Sequence, residues 1–162
     1  MANKEKLEEK IGEALGLEKA AQVAVEELSA KGLLDEGGMK DKLRTMKKQA
    51  NNHQMNLEGF VRALSESEDL SSGNIQETAQ ETQQKVAEMM KTYLREDPDS
   101  AEAIEFLCLA EGGEVTHYEV LSALTKGVKN KKFGTKVKAI LAEEKKHLQL
   151  CIRLAKQTAA GS

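Results

Sequence analysis

Apolar residues recur every three or four positions through four long stretches of the chain, and that 3.6-residue period predicts helices. The first stretch runs from Lys4 to about Lys31 with Leu7, Ile11, Ala14, Leu17, Ala21, Val25 and Leu28 on one face and no breaker stronger than Gly12 and Gly16. Gly32 and Asp35-Glu36-Gly37-Gly38 then supply a C-cap and a turn. The second runs from Met39 to about Ser65, with Met39, Leu43, Met46, Leu57, Phe60, Val61 and Leu64 aligned, and ends in the polar run 65–73. A shorter amphipathic helix, about Asn74 to Arg95, aligns Ile75, Ala79, Val86, Met89, Met90 and Tyr93. Asp97-Pro98-Asp99 opens the third long helix, with proline in its first turn and an Asp99/Glu102 capping box. That helix reaches about Thr125, and Leu107, Ala110, Tyr118, Leu121 and Leu124 form its stripe. After a polar turn over 126–132, Gly134 to about Ala159 forms the last. Its stripe is Val137, Ile140, Leu141, Leu148, Cys151, Ile152 and Ala155, with Lys138, Lys145, Lys146, Arg153 and Lys156 opposite.

Two helical hairpins joined by a connection of more than 30 residues predict an all-α fold, an antiparallel four-helix bundle with a long crossover carrying an extra short helix. Residues 1–162 are expected to form one domain. Composition agrees, because Ala, Glu, Lys, Leu, Gln and Met dominate while proline occurs once and tryptophan not at all. At 40% hydrophobic and 31% charged the chain is too apolar for disorder and too charged for a membrane span. A net charge of −3, with Lys and Arg interleaved among Asp and Glu, gives no footprint for nucleic acid. Cys108 and Cys151 lack the spacing of a metal finger and are read as thiols of a reducing compartment. Met1 leads directly into a charged helix, so a cytoplasmic protein is expected.

The stripes are not purely apolar. Glu18 falls near the centre of the first, Glu114 of the third and Glu144 of the fourth, while Glu111 leans inward less centrally. His117 and His147 sit about one turn beyond Glu114 and Glu144 toward one edge, and the middle of the second stripe is occupied by Ala50 and His53. Antiparallel helices place residues equidistant from a hairpin turn side by side. Glu18 lies 18 residues before Glu36 and His53 lies 17 after it. Glu114 lies 17 before Lys131, with Glu144 and His147 lying 13 and 16 after it. All five reach one layer of the bundle. Three carboxylates buried there without cations would cost several kcal/mol per ion, and no Lys or Arg stands in the inner stripes at that level. A metal removes the difficulty, and Glu-x-x-His, here Glu144-Lys145-Lys146-His147, sets both ligands of a pair on one helix face.

In these features the chain resembles the ferritin-like superfamily, and within it the bacterial YciF-type stress-induced proteins. The resemblance is carried by Leu17-Glu18-Lys19, the amphipathic helix before Asp97-Pro98, His117-Tyr118-Glu119 and Glu143-Glu144-Lys145. It implies a dimetal-carboxylate bundle, often a homodimer, tied to oxidative or general stress, with ferroxidase- or peroxidase-like oxidoreductase chemistry as the enzymatic possibility. The chain departs from the pattern at Ala50, which cannot ligate, and at Thr116, where a glutamate is expected. The expected metal ligands are therefore Glu18, His53, Glu114, His117, Glu144 and His147, holding one or two ions of Fe, or alternatively Mn or Zn. With Ala50 the carboxylate count is one short, so the dimetal site is expected to be degenerate, and Ala50→Glu to raise bound metal. The alternative is a non-catalytic helical stress or interaction module with a decayed site, using the crossover helix as a partner surface.

Overall fold

Each predicted helix is present in the computed structural model, which describes residues 3–161. The helices are α1 (Lys4–Ala30), α2 (Met39–Ser67), α3 (Ser72–Leu94), α4 (Ser100–Leu124) and α5 (Lys131–Gly161), with a 3-10 turn at Thr125–Gly127. Among the described residues there is no strand, and no helix is long and apolar enough to cross a membrane.

Local chemistry sets the ends. The Asn3, Ser71 and Asp99 side chains accept from the backbone N–H groups of Lys6, Asn74 and Glu102, capping α1, α3 and α4. Gly32, at φ +73°, closes α1 with Leu33 N–H donating to the Leu28 carbonyl, a Schellman stop. The last helix begins three residues before the expected Gly134. Asn130 accepts the Lys132 and Phe133 amides, and Val128 and Phe133 are buried, so apolar anchors hold what reads as a polar turn.

The crossover helix is part of the core. α3 packs extensively on α1, and the contact is backbone to backbone: a Cβ at Gly16 would lie 2.5 Å from the Ala79 carbonyl oxygen, and one at Gly12 2.6 Å from Thr78 Cβ. The two glycines that read as weak breakers are thus the docking groove for the crossover. Its buried stripe is Ile75, Ala79, Met90 and Leu94, whereas Met89 and Tyr93, expected on the apolar face, are exposed. Glu8 of α1, buried, receives the Ser71 N–H at 2.5 Å and the Asn74 amide at 3.2 Å, placing a carboxylate at the positive end of α3. Gly16→Ala is expected to destabilise the protein by about 1–3 kcal/mol through overpacking against that backbone. Urea unfolding checks it, and an unchanged midpoint would mean the crossover docks elsewhere.

Two apolar clusters fill the bundle. One holds Leu7 to Leu15 of α1, Leu57 to Leu64 of α2, Tyr118 and Leu121 of α4 and Phe133 to Leu141 of α5; the other holds Ala24 to Leu28, Met39 to Met46, Ala103 to Leu107, Cys151 and Leu154. The segment of each of these four helices lying between its two apolar parts carries the polar side chains described next.

Candidate metal centre

The intervening layer contains Glu18, His53, Glu111, Glu114, Glu144 and His147, each at most 4% exposed. One donor atom from each of Glu18, His53 and Glu144 lies within 4.8 Å of the others, and the same holds for Glu111, Glu144 and His147. Glu144 belongs to both groups.

His53 directs Nδ1 inward, 2.8 Å from Glu144 Oε1 and 3.1 Å from Glu18 Oε2, while its Nε2–H donates outward to Glu143 Oε1 at 2.6 Å. His147 repeats the arrangement. Its Nδ1 lies 3.4 Å from Glu144 Oε2 and 3.9 Å from Glu111 Oε2, and its Nε2–H donates to Gln49 Oε1 at 2.7 Å. The two rings stack with centroids 5.9 Å apart. The fully buried Tyr118 hydroxyl donates to Glu18 Oε2 at 2.6 Å.

Burial pushes the Glu18 carboxyl up, and the Glu144 charge pushes it further, to about 8, against hydrogen bonds from His53 and Tyr118. Burial and the Glu144 charge likewise hold Glu111 well above the ordinary range, and burial with the Glu111 and Glu144 charges does the same for Glu114. For Glu144, burial is outweighed by hydrogen bonds with His147 and His53 and by the neighbouring carboxyls of Glu114 and Glu111, so it is held well below 4.5. Burial lowers His53, but its bonds to Glu144 and Glu18 win and raise it to about 10. The layer therefore favours the ionised form at Glu144, pushes Glu18, Glu111 and Glu114 toward the protonated form and pushes His53 toward the imidazolium.

These shifts set a pH dependence. Folded Glu18 keeps a proton that the unfolded chain releases above pH 4.5, so that stability is lost between pH 4.5 and about 8, and His53 adds a loss between 6.5 and about 10. Glu144 acts in the opposite sense and costs stability as pH falls below 4.5. Chelator-treated protein should be most stable near about pH 5 and lose up to about 1.4 kcal/mol per pH unit for each proton held in excess above it. Thermal melts from pH 5 to 9 should show Tm falling by on the order of 10 °C, and a rising Tm would contradict the assignment.

One oxygen on each of Glu18, Glu111, Glu114 and Glu144 is buried without a hydrogen-bond partner among the described residues. Four such acceptors, with two imidazoles presenting nitrogen to the same space, fit a cation of the Fe, Mn or Zn type.

Of the six expected ligands, Glu18, His53, Glu144 and His147 stand in the two donor groups, while Glu114 is buried in the layer but belongs to neither. His117 does not join the two donor groups: its Nε2 lies 2.8 Å from Glu13 Oε2 and its Nδ1 2.8 Å from the Gly113 carbonyl oxygen. It lines a cleft of about 400 Å³ between α1, α3 and α4 with Leu17, Val86, Met89 and Phe106. α4 is regular through Gly112 and Gly113, and a Cβ on either would meet nothing within 4 Å. Glu111, read as less central, is buried and belongs to the second donor group. It lies about 60° from Glu114 on the wheel. Sequence reading missed Glu143 and Gln49 as partners of the histidines, since both sit beside the stripes.

No family model and no curated protein matches the chain. Among solved structures it is similar to a protein described as a ferritin-like, diiron-carboxylate protein from Bacillus anthracis str. Ames, at 16% identity over 96% of this chain and 99% of that one, with a TM-score of 0.64. The chain therefore has a ferritin-like fold.

Proposed function

We propose that this ferritin-like bundle is a metal-binding protein whose centre holds two cations in the donor groups that share Glu144. The observation that carries the reading is the set of four buried carboxyl groups, each with an unpartnered oxygen, three of which, Glu18, Glu111 and Glu144, converge with two imidazoles. Glu18, Glu144 and His53 would hold one cation and Glu111, Glu144 and His147 the other, with Glu114 beside both. The shortfall inferred from Ala50 is made good within α4 by Glu111, so the pattern is altered in which helix supplies the carboxylate.

Iron or manganese bound there would supply redox chemistry toward dioxygen or peroxide. The chain's own part is to exclude water with the two apolar clusters, to fix Glu18 through Tyr118, and to yield the protons of Glu18, Glu111, Glu114 and His53 as cations bind. The resemblance to the YciF-type proteins supports a place in oxidative or general stress, and the diiron-carboxylate neighbour supports iron.

Elemental analysis of protein purified without chelator or added metal tests the reading. Between one and two equivalents of Fe, Mn or Zn are expected. Metal-free protein that gains no thermal stability from Fe(II), Mn(II) or Zn(II) would favour the decayed site instead.

A further inference from the structure

We infer that Glu143 and Gln49 are positioning residues, one for each cation position, and that their difference in charge makes the position at His53 the tighter of the two. The inference rests on the two-cation reading above.

The inner donors are matched in kind, because each group offers two carboxylates and one imidazole and Glu144 is common to both. The two imidazoles also use the same ring nitrogen, presenting Nδ1 inward and committing Nε2–H to a side-chain oxygen. What differs is that oxygen. Glu143 offers His53 a carboxylate, whereas Gln49 offers His147 a neutral amide carbonyl. An outer acceptor fixes tautomer and ring plane in either case, but a carboxylate also raises imidazole basicity and adds a negative charge beside the cation. The Glu143 side chain is 46% exposed and stands outside the sealed inner carboxyls. Gln49, half-buried on α2, avoids adding a further charge to the layer. The sequence spacing agrees: Glu143 and Gln49 each stand one residue before a layer position, Glu144 and Ala50, so each reaches around its helix to the other hairpin's histidine.

Co(II) titration of metal-depleted protein, followed by visible absorption and equilibrium dialysis, separates the two steps. Wild type should take up two equivalents in two steps. Glu143→Gln keeps the size and the acceptor and removes only the charge; it should weaken the first step about 10–100-fold and leave the second within about twofold. Gln49→Leu should weaken the second step alone, and the Tm of each metal-free variant shows whether folding has changed. Two equivalents bound with neither variant moving a step, or with both moving the same step, would overturn this inference and leave the two-cation centre standing. Wild type that takes up no Co(II) would overturn both.

Discussion

Glu144→Gln should empty both cation positions at once, the largest single loss expected anywhere in the chain. Glu144 is the one side chain common to the two donor groups, and its ionised form is favoured by the hydrogen bond with His53 and the nearby His147 imidazole. The amide keeps the volume but removes the charge that two dications share. Bound metal should fall by more than the ~10–100-fold that loss of an outer partner costs. Metal-free Glu144→Gln is also expected to lose roughly 3–5 kcal/mol, because His53 Nδ1 loses the inner carboxylate that faces it. Glu18→Gln, which touches one group only, should retain one equivalent. His117→Ala should retain both, since its imidazole faces Glu13 across the cleft and not the layer. Elemental analysis with a urea melt reads all three variants, and loss of metal from His117→Ala would mean that the cleft and the layer act together.

Most of this centre is legible in the periodicity because a buried carboxylate interrupts an apolar stripe, and an interruption is visible on a helical wheel. Glu18 and Glu144 stand out among Leu, Ile and Val neighbours, and counting from two hairpin turns was enough to bring Glu18, His53, Glu114, Glu144 and His147 to one level. Residues at stripe edges are different. Glu111 and His117 both lie off the centre of the α4 stripe, and which of them turns inward depends on how α4 is rotated against α5 and on what α2 leaves free, neither of which a single helix encodes. Glu143 and Gln49 sit beside the stripes, and their bonds to His53 and His147 cross a helix interface that no single helix encodes. The docking of α3 hides for a related reason. Glycine in a helix reads as a weak point by propensity, and only the neighbouring backbone shows that Gly12 and Gly16 are the contact.

The relocated carboxylate gives the second large effect. Glu111→Ala should cost one of two equivalents, because it leaves His147 with Glu144 as its single close carboxylate partner in that group. Ala50→Glu on the wild-type background should not add metal, contrary to the expectation from sequence. The layer already holds four carboxyls, three of them pushed above the ordinary carboxylate range, and a fifth would have to be buried beside them at a cost of several kcal/mol. In the Glu111→Ala background the same substitution becomes favourable. Ala50 is buried one turn before His53, so a glutamate there restores the carboxylate count from α2. The double variant Ala50→Glu/Glu111→Ala is therefore expected to bind two equivalents where Glu111→Ala binds one, a gain that neither substitution gives alone. Fe(II) titrated anaerobically into the four proteins measures it. If Ala50→Glu raises metal content equally in both backgrounds, Glu111 is a bystander and the second cation position depends on α2; if Glu111→Ala keeps two equivalents, Glu114 alone completes that position.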